Sequence, residues 1–373
     1  MTVALVGGAL ANKAGNAGAA WTRLSWLSGL RDLGFDVHLV EELAPGLDEE
    51  AERWFRSVTT AFGVADRCTL LRPDGSTAAG LALDDLEDLA AGAALLVNIS
   101  GHLRRPGIVR RVARRVYVDL DPGYTQIWSD EGLMDLGEHD HWYTVGELVG
   151  TPWSTVPTAG RRWRPIRQPV SLDAWPVQPP SGQDRFTTIA AWRGPFGTVE
   201  REGRALAGKV HEFRRFAALP RLAPGVFELA LDIDGADQKD RALLEEHGWL
   251  VVDPVPVVGD PHAFRRYVQG SAAEASVAQG VYVHLSTGWF GDRTVRYLAS
   301  GRPALVQDTG CSRTLPVGEG IVTFTDLDQA VAGARSILED APRHAAAARR
   351  LSEELFASHV VLGRLCEEVG VAP

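Results

Sequence analysis

A turn of small residues near position 290 carries large and charged side chains that a plain solvent-facing turn does not need. They are Trp289, Phe290, Asp292 and Arg293. The turn runs from Ser286 to Gly291 and precedes residues 292–300, whose apolar positions recur on one helical face. Free N–H groups and the helix dipole at such an N-terminus favour a phosphate or another anion. The turn therefore predicts an anion site, and the alternative is an ordinary strand–turn–helix packing unit.

The segments around this turn predict half of a parallel-sheet unit. Residues 281–285 are apolar and predict a strand before the turn, and residues 303–306 predict a second strand after the helix, which Gly301 ends. Open α/β sheets bind ligands in loops at the carboxyl ends of their strands. Glu274 lies just upstream, in residues 271–276, and is expected either to bind a ligand hydroxyl or to cap a short helix.

Two further candidates follow predicted strands in the first half of the chain. His102 lies past a strand at residues 94–98, where an imidazole can act as a general base or bind a sugar hydroxyl, or can be a solvated loop residue. Asp121 follows a strand at residues 116–120, with Asp119 one strand period before it. Two carboxylates there can act as a base and an orienting group or bind a divalent ion, and Asp121 can equally be a turn residue.

The first residues predict a doubly wound start. A strand at residues 3–6 leads through a loop of small residues to a helix at 19–33 and a strand at 37–40. The loop has no strict G-x-G-x-x-G, which disfavours a dinucleotide-dependent oxidoreductase. Its candidate site residues are Gly7, Gly8 and Asn16. The glycines either face a ligand or let helix and strand approach closely.

Strand and helix patterns alternate in two blocks on either side of a proline- and tryptophan-rich segment at residues 150–180. We predict an N-terminal domain at 1–165, a linker at 166–182, a second domain at 183–355, and a terminal helix at 356–373 that returns to the first domain. A basic segment at residues 104–115 is predicted to be a solvated helix. The predicted fold class is α/β, with two Rossmann-like doubly wound domains and a cleft between them.

The stretch from residue 288 to residue 310 resembles the nucleotide-sugar site of GT-B glycosyltransferases, and within them the bacterial enzymes of the Glu-x7-Glu type. In those enzymes a Phe-Gly pair precedes a helix, and an A-x-G-x-P-x-x-x-x-D-x-G run follows. The matching residues here are Phe290, Gly291, Ala299, Gly301, Pro303, Asp308 and Gly310. Gly288 and Arg296 stand where that type has its two glutamates, which leaves the sugar stereochemistry open.

The resemblance implies that a nucleoside diphosphate sugar is held mainly by the second domain. Arg193 and Lys209 look like the arginine and lysine that grip the diphosphate, at a longer spacing than usual, and two surface cations are the alternative. Residues 288–293 would complete the diphosphate site, with Trp289 stacking on the base or the sugar. The residues that would face the donor sugar are Asp308, Thr309 and Gly310. Fixed cations would meet the charge of the leaving diphosphate, so neither a metal nor a cofactor is expected.

The resemblance also implies that an acceptor is held mainly by the first domain. Residues 24–41 resemble the opening of the same enzymes, in which the glycine-rich loop faces the cleft and the acceptor. His102 is then the leading acceptor-side base if transfer inverts the anomeric carbon, with Asp121 beside the acceptor. A small molecule such as a secondary metabolite is the expected acceptor. The alternatives are a nucleotide-sugar epimerase and a non-catalytic nucleotide-sugar binding protein.

The length, composition and net charge of the chain narrow the class of protein. The chain has 373 residues, 45% of them hydrophobic, which fits two globular domains. A net charge of −10 disfavours a nucleic-acid partner, which would need a basic face. The three cysteines lie far apart without metal-ligand spacing, and no apolar run reaches the roughly 20 residues of a membrane span. We therefore expect a cytoplasmic protein, while its oligomeric state is left open.

Overall fold

The computed structural model describes all residues except 48, 180, 181, 183, 195, 202 and 207, and the side chains of residues 204 and 205 are also not described. The described chain builds two mainly parallel sheets with helices packed on their faces. Each sheet has its own buried core. This arrangement confirms the predicted α/β class with two Rossmann-like domains.

In the described part of the chain the first sheet has eight strands in the order β4-β3-β2-β1-β5-β6-β7-β8. The strands are β1 (Val3–Gly7), β2 (Asp36–Glu42), β3 (Cys68–Leu71), β4 (Thr77–Ala79), β5 (Leu95–Ile99), β6 (Arg115–Asp119), β7 (His141–Thr144) and β8 (Trp163–Pro165). The helices are α1 (Ala17–Asp32), α2 (Glu49–Ala61), α3 (Leu83–Gly92), α4 (Pro106–Val109) and α5 (Tyr124–Asp130). β3 and β4 pair antiparallel, and the other neighbours pair parallel.

Among the described residues the second sheet has six parallel strands in the order β13-β12-β9-β14-β15-β16, and a small antiparallel hairpin follows β9. The strands are β9 (Arg185–Ala191), β10 (Val199–Arg201), β11 (Arg204–Leu206), β12 (Val226–Asp232), β13 (Leu250–Val252), β14 (Ala273–Ser276), β15 (Ala304–Gln307) and β16 (Ile321–Phe324). The helices are α6 (Lys209–Arg215), α7 (Leu219–Leu222), α8 (Gln238–Glu246), α9 (Pro254–Val258), α10 (Pro261–Gln269), α11 (Gly280–His284), α12 (Asp292–Ala299), α13 (Leu327–Glu339), α14 (Ala341–Leu355) and α15 (Ser358–Val369).

Strand order reverses beside the first strand of each sheet. In the first sheet the reversal lies between β1 and β5, and in the second it lies between β9 and β14. The loops that leave the carboxyl ends of two such strands run in opposite directions and open a crevice between them. Each domain therefore offers one ligand crevice at this edge of its sheet.

Helix α1 belongs to both cores. Leu24, Leu27 and Leu30 pack in the core of the first sheet, whereas Trp21 packs with residues of the second domain. The Trp21 indole Nε1 donates to the carbonyl oxygen of Pro261 at 2.7 Å. Because α1 is buried on both sides, it fixes one domain against the other.

The last helix crosses back to the first domain. Leu362, Leu365 and Val369 of α15 are buried in the core of the first sheet. The Tyr143 hydroxyl of β7 donates to Glu368 at 2.9 Å. The segment that leads to the second domain is anchored by Trp175, which is fully buried against the ring of Trp21.

Three predicted elements were wrong. Residues 281–285 lie in and just after helix α11 rather than in a strand, and the strand before the turn is β14, which contains Glu274. A short apolar run fits a buried helix as well as a buried strand, and here Val281, Tyr282 and Leu285 pack together at helical spacing. The expected short helix around Glu274 is therefore absent from residues 271–276. Within residues 104–115 the helix extends only over Pro106–Val109, because strand β6 begins at Arg115.

We predict that a methyl group at Gly29 separates α15 from α1. A Cβ there would lie 2.6 Å from both Leu362 Cδ1 and Ser358 Cβ. Gly29→Ala should therefore lower the free energy of unfolding by about 1–3 kcal/mol, measured by urea titration.

Gly363→Ala is the matched control on the partner helix. Apart from its chain neighbours and the backbone of its own helix, no described heavy atom lies within 4 Å of a Cβ at Gly363, so this change should be neutral or stabilise by up to about 1 kcal/mol through helix propensity. Equal urea midpoints for the two variants would contradict the packing of α15 on α1.

Candidate functional site

A cavity of about 470 Å³ lies where the two sheets turn their carboxyl edges toward each other. The first domain lines it with the start of α1 and the loops after β5 and β6. The second domain contributes the end of β9, the start of α6, helix α11 and the turn before α12. The predicted site residues that line it are Asn16, His102, Asp121, Lys209, Trp289, Gly291, Asp292 and Arg293. Both strand-order reversals thus open into one cavity.

Arg193 lies away from the described lining of the cavity. Its side chain is 70% exposed and forms two hydrogen bonds of 2.6 Å to the Asp237 carboxylate. The prediction that Arg193 stands with Lys209 at one site is therefore not met. The cause is a partner on the loop after β12 that already neutralises the guanidinium.

Gly7 and Gly8 allow close packing rather than line the cavity. A Cβ at Gly7 would lie 2.7 Å from Asn98 Oδ1, and one at Gly8 would lie 2.9 Å from Cγ of Arg23. The absence of a side chain at Gly8 lets the stem of Arg23 pass beside the strand end. Asn16 has a separate task, because its Oδ1 accepts the backbone N–H of Ala19 and caps α1.

The residues expected to face the donor sugar instead form hydrogen bonds that stabilise the turn before α12 and the loop after β15. Asp308 accepts hydrogen bonds from the backbone of Gly310 at 2.8 Å and from the Ser312 hydroxyl at 2.6 Å. The Thr309 hydroxyl donates to the carbonyl oxygen of Trp289 at 2.6 Å, and the Gly288 amide donates to that of Thr309. Asp308, Thr309 and Gly310 therefore shape the turn without lining the cavity.

Phe290 and Gly288 also lie outside the described lining. Phe290 is buried and stacks on Phe356, with ring centroids 5.4 Å apart. Gly288 has a φ of +72° and lies so close to the chain at Leu148 that a Cβ would be 2.9 Å from its backbone nitrogen. This conformation and this contact explain why glycine, rather than a residue with a side chain, occupies position 288.

Two cations of the second domain differ in their partners. Arg293 is bonded to Glu274 of β14 at 2.6 Å, to the Ser276 hydroxyl at 2.9 Å and to the carbonyl oxygen of Ile189. Lys209 has no hydrogen-bond partner among the described residues, although it lines the same cavity. Burial, with the nearby Arg293 charge, lowers the pKa of Lys209 to about 7. A bound anion would restore the charge that this site disfavours.

The first domain adds two cations that the sequence analysis did not single out. Arg23 is 4% exposed, its Nε is buried without a partner, and burial lowers its pKa. Lys13 lies in the preceding loop, and burial followed by the Arg23 charge lowers its pKa as well. The Glu41 carboxylate holds this loop by accepting the amides of Leu10 and Ala11 at 2.7 and 2.9 Å. A cation in a loop that precedes a helix was the signal that could have identified Lys13, whereas Arg23 lies within α1 and has no such local signal.

Asp119 and Asp121 have different environments. Asp119 is buried and accepts four hydrogen bonds, from the hydroxyls of Thr125 and Thr144, from the Gln126 amide and from the backbone of Asp121. Asp121 lines the cavity and accepts one bond, of 3.1 Å, from the hydroxyl of Tyr282 across the domain boundary. Burial and the neighbouring Asp119 raise the pKa of Asp121 to about 6. Asp119 is thus a structural hub, and Asp121 is a carboxylate available to a ligand.

His102 is less suited to be a base than Asp121. Burial, together with the charges of Arg23 and Lys13, lowers the pKa of His102 to about 3. An imidazole with that pKa is neutral near pH 7 and accepts a proton poorly. The structure therefore favours Asp121 over His102 as the proton acceptor, reversing the order expected from the sequence.

Asp292 joins the domains at the start of α12. Its Oδ2 accepts bonds from the Thr22 hydroxyl of α1 at 2.7 Å and from Arg296 at 2.9 Å. Arg296 also donates to the Thr22 hydroxyl at 2.9 Å and is 2% exposed. Burial alone would raise the pKa of Asp292, but Arg296 and Thr22 outweigh it and hold that pKa below its usual value.

The described residues contain no group of three His, Cys, Asp or Glu side chains placed to hold a metal ion. A search of the same residues also finds no helix with the length and apolar character needed to cross a bilayer.

Two Rossmann-like domains that face each other across a ligand-sized cavity define the GT-B architecture. Similarity to solved structures supports the same assignment. No protein-family model and no curated protein matches the chain. The structure of HepE from Anabaena in complex with UDP-glucose matches with a TM-score of 0.61 at 13% identity, over 99% of this chain and 100% of that one. The chain therefore has the GT-B fold, as the resemblance implied.

Other glycosyltransferase structures match over similar lengths. An alpha-glucosyltransferase in complex with UDP-glucose and DNA containing an abasic site matches with a TM-score of 0.57 at 9% identity, over 99% of each chain. The pneumococcal O-GlcNAc transferase GtfA in complex with UDP and GlcNAc matches with a TM-score of 0.54 at 10% identity, over 99% of this chain and 98% of that one. At these identities the likeness concerns the fold.

Proposed function

We propose that the chain is a glycosyltransferase that moves a sugar from a nucleoside diphosphate sugar to a hydroxyl of a small-molecule acceptor, without a metal ion. The observation that carries the proposal is Lys209, a cation without a hydrogen-bond partner among the described residues, in the same cavity as Asp121. A diphosphate needs fixed positive charge, and an acceptor hydroxyl needs a group that can take its proton. The cavity offers both.

The donor half of the proposal rests on the second domain. Lys209 and the start of α12 lie on one wall of the cavity, where a cation and the free amides of a helix N-terminus favour phosphate oxygens. Lys13 and Arg23 extend the positive wall into the first domain. We infer a uridine diphosphate sugar as donor, a choice supported by the UDP and UDP-glucose bound in the similar structures.

The acceptor half of the proposal rests on Asp121. In the transfer step a bond forms between the acceptor oxygen and the anomeric carbon, and the bond from that carbon to the diphosphate oxygen breaks. The hydroxyl proton passes to Asp121, while the Tyr282 hydroxyl, which donates to Asp121, fixes the carboxylate. The UDP leaves with its charge facing Lys209. The net charge of −10 supports a small molecule rather than a nucleic acid as acceptor.

We predict that Lys209→Met weakens UDP binding by about 10- to 100-fold, because it removes a charge-assisted contact to phosphate. Isothermal titration calorimetry with UDP in EDTA measures the effect and also tests metal independence. Lys239→Met on the exposed face of α8 is the matched control and should bind UDP like the unaltered protein. Equal affinities for both variants would exclude Lys209 from the diphosphate site.

We predict that the rate of UDP release from UDP-glucose rises with pH through about 6, because Asp121 acts only when ionised. Asp121→Asn should lower this rate to the background and remove the rise. His102→Gln should keep the rise, which separates the two candidate bases. A rise that persists in Asp121→Asn would contradict the assignment, and free sugar nucleotide converted to an epimer would favour an epimerase.

A further inference from the structure

Aromatic side chains from both domains form a continuous surface in the cavity, which we call the aromatic wall. Its members are Tyr124, Trp128, Phe196, Tyr282 and Trp289. Phe196 follows β9 and crosses to helix α5, where its ring lies 4.8 Å from that of Tyr124 and 5.1 Å from that of Trp128. Tyr282 continues the wall, 4.7 Å from Trp289. Trp128, Phe196, Tyr282 and Trp289 line the cavity directly.

The hydroxyl groups of the wall are already used within the protein. The Tyr124 hydroxyl donates to Gln279 at 2.9 Å, and the Tyr282 hydroxyl donates to Asp121 at 3.1 Å. Nearby, the Thr125 hydroxyl donates to Asp119 at 2.6 Å. What remains for a ligand is therefore ring surface and the indole N–H groups of Trp128 and Trp289, which can donate a hydrogen bond but not accept one. A sugar acceptor with several hydroxyls would leave most of them unpaired here, which costs affinity.

The wall adjoins the acceptor carboxylate. Tyr282 is part of the wall and is also the hydrogen-bond donor to Asp121. Lys209 lies instead among Arg293, Glu274 and Asp292. A ring that rests on Trp128 and Phe196 can therefore present a hydroxyl to Asp121, whereas a diphosphate belongs to the other group of residues.

We propose, resting on the proposed transferase function, that the acceptor is a planar and largely apolar alcohol or phenol whose ring packs on Trp128 and Phe196 and whose hydroxyl faces Asp121. Planar π surfaces pack on aromatic rings in offset or edge-to-face contacts that a saturated ring cannot reproduce. In transfer the phenol oxygen bonds to the anomeric carbon, UDP departs, and the phenol proton goes to Asp121.

The test compares 2-naphthol with decahydro-2-naphthol, which has the same skeleton without the π surface. Calorimetry is run on the whole protein, with and without saturating UDP. We expect 2-naphthol to bind at least about tenfold more tightly, as a single aromatic stacking contact is worth that much. Trp128→Ala should weaken the binding of 2-naphthol by about tenfold. Phe196→Leu, which keeps an apolar group of similar size, should weaken that binding by several-fold.

Trp153→Ala is the control, because Trp153 is 59% exposed and lies outside the lining of the cavity. It should leave the affinity for both ligands unchanged, and all three variants should bind UDP like the unaltered protein.

Equal binding of 2-naphthol and decahydro-2-naphthol, or 2-naphthol binding that neither wall variant weakens, would overturn the proposal. A loss of UDP affinity in Trp128→Ala would overturn it as well, because the wall would then hold the nucleobase. Failure of the unaltered protein to bind UDP contradicts the proposed function instead, and thermal melting of each variant checks that it is folded.

Discussion

The contact of helix α1 with the second domain is the interaction on which the rest of the structure depends. Trp21 donates to Pro261, and the hydroxyl of Thr22 is shared by Asp292 and Arg296. The same helix starts at the cavity, where its first turns carry Arg23. Because α1 is packed in both cores, the position of the first-domain wall relative to the second is fixed by buried side chains rather than by loops.

The contact with α1 also reduces the repulsion between the Asp292 carboxylate and a phosphate bound at the N-terminus of α12. Asp292 is the first residue of α12, and an unpaired carboxylate there would repel a phosphate at the helix N-terminus. Arg296 and Thr22 bind this carboxylate and keep it paired. Glu274 of strand β14 is in turn paired with Arg293, the next residue of α12. The acidic groups of the second-domain wall are thus compensated within the protein, whereas Lys209 is left for a ligand.

The sequence indicated the site through strand ends. His102 and Asp121 follow β5 and β6, which are neighbours in a parallel sheet, so their approach to one cavity could be predicted from the two apolar runs. The helix that begins at residue 292 was predicted correctly because its apolar residues repeat at helical spacing over two turns. The segment 281–285 is too short to show whether its apolar residues repeat at helical or strand spacing. Because it was predicted to be a strand, the role of Tyr282 as the hydrogen-bond donor to Asp121 was not recognised.

Tertiary partners decided the remaining differences. Arg193 and Lys209 look alike in the sequence, but Asp237, 44 positions further along the chain, binds Arg193 and leaves it outside the cavity. Arg23 reads as one polar position of a helix, and only the packing of α1 between two domains buries it. The aromatic wall draws on residues from positions 124 to 289, a grouping that no local pattern contains.

The central claim is that a nucleoside diphosphate binds beside Lys209 and restores its charge. The most direct measurement is the number of protons taken up when UDP binds at pH 8, from calorimetry in two buffers of different ionisation enthalpy. At pH 8 the amine is mostly neutral, since its pKa is about 7, and the terminal phosphate is already ionised. The account predicts an uptake approaching about one proton per UDP. Binding of UDP without proton uptake, or with the same uptake in Lys209→Met, would contradict it.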